Sequence, residues 1–137
     1  MENHFDLSDD EFEQAFQNCT LSPALFSHEA HIRLAWIHIT KYGLETAIAN
    51  IGSQLTTFVA KAGASDKYNV TLTVAAVKIV CHFVEKATAT NFPDFIEEFP
   101  QLTTDFKGLI NTHYDVDIYN SEKAKKEYIS PDLLPFE

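Results

Sequence analysis

Over long stretches of this chain apolar residues recur at three- and four-residue intervals, the period of a helix buried along one face. The clearest run is LETAIANIGSQLTTFVAKAG, where Leu44, Ile48, Ile51, Leu55 and Phe58 share a stripe and Gly63 closes it. Upstream, FDLSDDEFEQAF offers Ser8 as an N-cap, Glu11 to complete a capping box, and Leu7 placed to pack on Phe12, which predicts a helix over about 8 to 17. TLSPALF bends the chain at Pro23, Ser27 then caps a helix over about 27 to 42, and Gly43 suits the residue that ends it. The most apolar stretch is VTLTVAAVKIVCHFVEKATA. Its β-branched content raises a strand, but its length decides for a helix over about 70 to 88. Leu72, Val74, Val77, Ile79, Val80, Cys81 and Phe83 cover most of that helix, and a narrow stripe of Thr71, Ala75, Lys78, His82 and Glu85 is left to reach water or a cavity. The last third is patterned more weakly, with PDFIEEF, TTDFKGLINTHY and SEKAKKEYI reading as short helices begun by Pro93 and, for the last, Ser121. SPDLLPFE cannot be helical throughout. The fold class this implies is all-α: a single-domain bundle over 1–137, with the apolar helix at its centre and a segment at 118–137 expected on the periphery.

Composition supports a packed interior, since 45% of the 137 residues are hydrophobic and Phe alone occurs 11 times. Charge narrows the partners. Twenty acidic residues stand against 10 basic ones, for a net charge of -10, and the one basic cluster (Lys123, Lys125 and Lys126) sits between Glu122 and Glu127. Nucleic acid and anionic membrane surfaces, which are bound through Lys and Arg, are therefore not expected partners. MENHFDLSDD shows no secretory leader, and no apolar run reaches spanning length, so the expected location is the cytoplasm. Cys19 and Cys81 then read as small reduced side chains.

The second helix carries the candidate chemistry. His28, His31, Ala35, His38 and Tyr42 fall on one stripe, polar where a core stripe is normally apolar, flanked by Ile32, Trp36 and Ile39. His28 and His31 lie in its first turn, where the positive end of the helix dipole disfavours imidazolium, and a neutral ring can accept a proton or bind a metal. The bland alternative is a hydrogen-bonded structural pair. If helices two, three and four run up, down and up, the stretch KYNVTLT (67–73) lies level with the pair, which brings in Tyr68, Asn69, Thr71 and Thr73 and leaves His82 and Glu85 at the far end. Glu29 and Arg33, four apart, read as an ion pair worth a few tenths of a kcal/mol, with Arg33 as an anion clamp the other reading. A metal needs a third ligand, so none is favoured, and His28 and His31 would be its ligands if there were one.

HExxH, GxSxG, the P-loop and GxGxxG are all absent, and HEAH is one residue too short for the zinc-protease helix, so hydrolysis by those routes has no support and the cofactor is left unknown. FSHEAHIRLAW, followed by YNVTLT, resembles a family of small bacterial proteins without an assigned reaction, whose pattern is approximately F-[ST]-H-x-[AD]-H-[IL]-R-x-A-W and then Y-H-x-T-[IL]-T. The resemblance spans about residues 16 to 85 and implies that His28, His31, Arg33, Trp36, Tyr68, Thr71 and Thr73 act together. The chain departs from it at Asn69, where the pattern has histidine, and Asn is a poor ligand for zinc or iron. The expected function is a small-ligand pocket. His28 and His31 would handle protons (the catalytic candidates), and Arg33, Trp36, Tyr68, Asn69, Thr71 and Thr73 would bind the ligand. The competing readings are a non-catalytic interaction module, using the acidic first helix and the PDLLPF tail, and a metal-binding protein.

Overall fold

In the computed structural model of the protein, which describes residues 3–136, polar side chains set where the helices begin. Ser8 Oγ accepts the Glu11 N–H and the Glu11 carboxylate accepts the Ser8 N–H, which starts α1 (Asp9–Gln17). Ser27 Oγ accepts the Ala30 N–H at the head of α2 (His28–Tyr42). Gly43, at φ +88°, ends α2 and at once begins α3 (Leu44–Lys61), a left-handed conformation that only glycine takes without strain. The chain turns again at Gly63, and Asn69 Oδ1 accepts the Leu72 N–H to cap α4 (Val70–Lys86). Asn91 caps α5 (Phe92–Glu98), with Pro93 in its first turn; α6 (Gln101–Thr104) and α7 (Phe106–His113) follow, and Ser121 caps α8 (Glu122–Lys126). The described residues form eight α-helices and no strand, the all-α bundle that the periodicity predicts.

At the centre α2, α3 and α4 pack pairwise against one another, α8 and α7 lie on α4, and α6 bridges α2 and α7. The buried cluster draws on every helix, from Phe12 and Phe16 in α1 through Leu34, Ile37, Ala47, Val80, Phe95, Leu102 and Ile110 to Ala124 in α8. Each fully buried Leu, Ile or Phe contributes about 1.5–3 kcal/mol, so this cluster supplies the main stabilisation. α4 stops at Lys86 rather than 88 because the Glu98 carboxylate accepts the N–H groups of Thr88 and Ala89, at 3.1 Å each, and holds the chain in a turn.

Two expectations give way to long-range contacts. The α4 stripe does not face water along its length: Thr71 and Ala75 are wholly buried, the Lys78 ammonium lies 5.2 Å from the Tyr128 ring centre, and only His82 and Glu85 are exposed. The cover is the C-terminal segment. Thr71 Oγ1 donates to the Glu127 carbonyl at 2.8 Å and accepts the Ile129 N–H at 3.0 Å, Tyr114 donates to the Ile129 carbonyl, and the Leu133 N–H donates to the His113 carbonyl. The stretch from 118, expected at the periphery, thus places Ile118 and Ala124 in the core, although Leu133 and Leu134 remain exposed. Secondly, Arg33 does not pair with Glu29, as described below. No helix among the described residues is long and apolar enough to cross a membrane.

Candidate functional site

Residues of the first turns of α2 and α4 line a cavity of about 660 Å³. Ile51, Leu55, Phe58 and Val59 of α3 form one wall, Leu72, Ala76, Val77 and Val80 of α4 another, and Phe106, Lys107 and Tyr119 complete the mouth with Lys67. Of the residues singled out from the sequence, His28, His31, Tyr68, Asn69 and Thr73 line this cavity, while Arg33, Trp36 and Thr71 do not. The starts of α2 and α4 come together on this cavity: Gly43 alone joins α2 to α3, and residues 62–69, with a 3-10 turn at Ser65–Lys67, carry the chain from α3 into α4.

Several polar groups around the cavity are already engaged. His28 Nε2–H donates to the Leu102 carbonyl at 3.0 Å, which in the neutral ring sets the tautomer with Nδ1 as the acceptor. Asn69 is buried: besides capping α4 it donates from Nδ2 to the Ile118 carbonyl at 2.8 Å. Thr73 Oγ1 donates to the Asn69 carbonyl. Others have no protein partner among the described residues. The His31 ring lies on Phe26, with centroids 3.8 Å apart and planes 21° from parallel, and makes no hydrogen bond. The ring keeps accessible surface on the cavity, but the protein packed around it strips most of its water; this desolvation, with a smaller push from the nearby His28, lowers its pKa from 6.5 to about 4. His31 is therefore a neutral ring at pH 7. The Tyr68 hydroxyl sits 3.6 Å from where a Cβ on Gly52 of α3 would lie, and it too is without a protein hydrogen-bond partner among the described residues.

Arg33, predicted to bind ligand or pair with Glu29, is buried under the N-terminal segment instead. Its Nε and Nη2 donate to Asp9 Oδ1, Nη2 also donates to the Leu7 carbonyl at 2.9 Å, and Nη1 donates to the His4 carbonyl and to His4 Nδ1. Glu29 accepts from His4 Nε2 at 2.8 Å. Phe12 and Phe5 flank the guanidinium, at 4.9 and 5.6 Å from their centres. A fixed fork of five donors needs several acceptors when buried, and a neighbour four residues on cannot supply them. Trp36 packs 6.0 Å from the Phe92 ring, and Thr71 holds the C-terminal segment.

The polar stripe of α2 serves two places. At its far end His38 is buried, its Nε2 has no partner, and burial lowers its pKa against a weaker opposing pull from Glu13. Next to it the Glu13 carboxylate accepts from Lys41 and from Tyr42 Oη. Burial alone would raise Glu13, and these two bonds outweigh it and hold it below the ordinary value. Lys41 also binds Asp10. Asp9, Asp10, Glu11 and Glu13, the carboxylates of the acidic first helix, are thus all engaged within the chain. Among the described residues no three His, Cys, Asp or Glu side chains converge as a metal site would require. Sequence reasoning missed Lys107, Phe106 and Tyr119, which reach the cavity from the weakly patterned last third, and Lys67, which lies inside KYNVTLT but is not among the residues singled out there. No family model, curated protein or solved structure matches the chain.

Proposed function

We propose that the protein binds a small organic molecule in the cavity between the first turns of α2 and α4. The observation that supports this is the pairing of about 660 Å³ of largely apolar space with polar groups, His31 and the Tyr68 hydroxyl, that no protein atom satisfies. Volumes of this size match small-molecule sites, which combine apolar walls with a few polar groups that fix orientation. Any acid/base step would run through His31 or Nδ1 of His28. A ring whose conjugate acid lies near 4 is a weak base at pH 7, however, so binding is better supported than catalysis.

A thermal-shift screen of small organic molecules against the wild type and Ala76→Phe tests this, since Ala76 lines the cavity and a ring there fills it. A ligand at about 100 times its Kd should add about 2.7 kcal/mol to the wild type. The same compound should leave Ala76→Phe unshifted. Compounds that shift both proteins equally, or none that shifts either while Ala76→Phe is the more stable, would mark the space as a packing defect.

A further inference from the structure

The charge around the cavity runs against the charge of the chain. The protein carries 20 acidic residues and a net charge of -10, yet no Asp or Glu lines the cavity, whereas Lys67 and Lys107 both do. Both lysines are exposed, so they stand at the mouth rather than in the interior. Neither forms an ion pair among the described residues, although Lys107 is close enough to Asp117 to help hold that carboxyl below its ordinary value. Lys107 lies over the Tyr119 ring at 5.5 Å, and both residues line the opening. The other groups left for a ligand are uncharged: His31, exposed like the lysines but neutral, and the half-buried hydroxyls of Tyr68 and Thr73. The first turns of α2, α4 and α7 also line the space, and each adds the positive end of a helix dipole.

We infer that the ligand is an amphipathic carboxylate, its apolar body lying among Leu55, Phe58, Leu72, Ala76 and Val80 and its head group at the mouth, met by Lys67 and Lys107. This rests on the proposed function of the cavity as a binding site and adds the class of molecule it takes. A cationic head would meet two ammonium groups and no carboxylate of the lining, Asp117 standing behind Lys107 outside it. A head group buried below the mouth would have no counter-charge, so the charge must stay at the opening.

Titration calorimetry of the full chain with decanoate, decanol and decylamine separates the outcomes. Decanoate should bind about tenfold more tightly than decanol, with decylamine weakest. Lys67→Gln/Lys107→Gln should weaken decanoate by about the same factor and leave decanol unchanged, which also shows that the variant's cavity is intact. Equal or tighter binding of decanol or decylamine, or a double variant that binds decanoate as the wild type does, would overturn the carboxylate assignment while leaving cavity binding in place. If none of the three binds in a manner that Ala76→Phe blocks, the binding-site reading fails and this inference falls with it.

Discussion

Replacing Arg33 by Met separates the structural role seen here from the ligand-binding role predicted for it. Met keeps the aliphatic stem and removes every donor, leaving the His4 and Leu7 carbonyls and Asp9 Oδ1 without the guanidinium that joins them to α2. The Arg33 side chain is 5% exposed, and breaking a buried ion pair by removing one partner costs about 3–5 kcal/mol. Asp9 is 43% exposed and regains water when its partner goes, which places the expected loss near the lower bound, about 3 kcal/mol. For a chain of this length that is a fall in Tm of roughly 10 °C. Urea unfolding followed by Trp36 fluorescence should show a lower midpoint at an unchanged slope, and amide exchange should accelerate first in the segment 4–8, which Arg33 anchors. Decanoate affinity, measured well below the new Tm, should not change, because Arg33 lies outside the cavity. A stability loss below about 1 kcal/mol, or lost ligand binding in a variant of wild-type stability, would refute this account and return Arg33 to the site.

Thr71→Val keeps the shape of a fully buried side chain and removes the hydroxyl that bridges Glu127 and Ile129; it should cost about 2 kcal/mol, with faster exchange at the Ile129 amide in hydrogen-exchange NMR. Gly52→Ala should raise stability by roughly 0.5–1 kcal/mol in urea melts, because glycine is unfavourable inside α3 and the new methyl would meet only the Tyr68 hydroxyl at 3.6 Å, an ordinary contact. Between pH 6.5 and about 4 the unfolded chain holds a proton at His31 that the folded chain does not, so this residue's contribution is complete above 6.5 and is lost as pH falls towards 4. The midpoint of urea unfolding should therefore fall more steeply with acidification in the wild type than in His31→Gln, and parallel curves would show that the ring is not desolvated.

The helix boundaries were readable because their causes are local. Ser8 with Glu11, Ser27 and Gly43 each act within four residues, and the structure uses them as the spacing predicts. The levelling of the starts of α2 and α4 was also legible, since connections as short as Gly43 and the eight residues 62–69 favour antiparallel neighbours. What the chain could not disclose is which of two chemically sensible partners wins over a long separation. An Arg33–Glu29 pair in sequence reading was worth tenths of a kcal/mol; a buried guanidinium instead needs the carbonyls and carboxylate that residues 4 to 9 bring from 24 or more positions away. Lys107 and Tyr119 lie in a region without strong periodicity, so nothing in their neighbourhood pointed to α4. Asn69 looked like a lost ligand, and the structure gives it an occupation of its own, capping α4 and holding Ile118.

The engaged residues also explain how the cavity persists. Were it a dry void, about 660 Å³ at ~24 cal/mol per Å³ would cost on the order of 16 kcal/mol, as much as the whole stability of a typical domain. The walls would collapse inward unless something held them apart and the space were open to solvent or filled. Both conditions have a visible basis. His28 ties the start of α2 to the Leu102 carbonyl, and Asn69 ties the start of α4 to the Ile118 carbonyl, so the two sides of the opening are fixed to different segments. The exposed rims at Lys67 and Lys107 leave the mouth open to water. Water inside would find few polar groups, such as His31, Tyr68 and Thr73, among walls of Leu, Val and Phe, and its displacement by an apolar body gains about 25 cal/mol for each Å² covered. On this view, several of the motif's polar residues act as braces, and the groups left unbraced, His31 and the Tyr68 hydroxyl with Lys67 and Lys107, are the ones a ligand would meet.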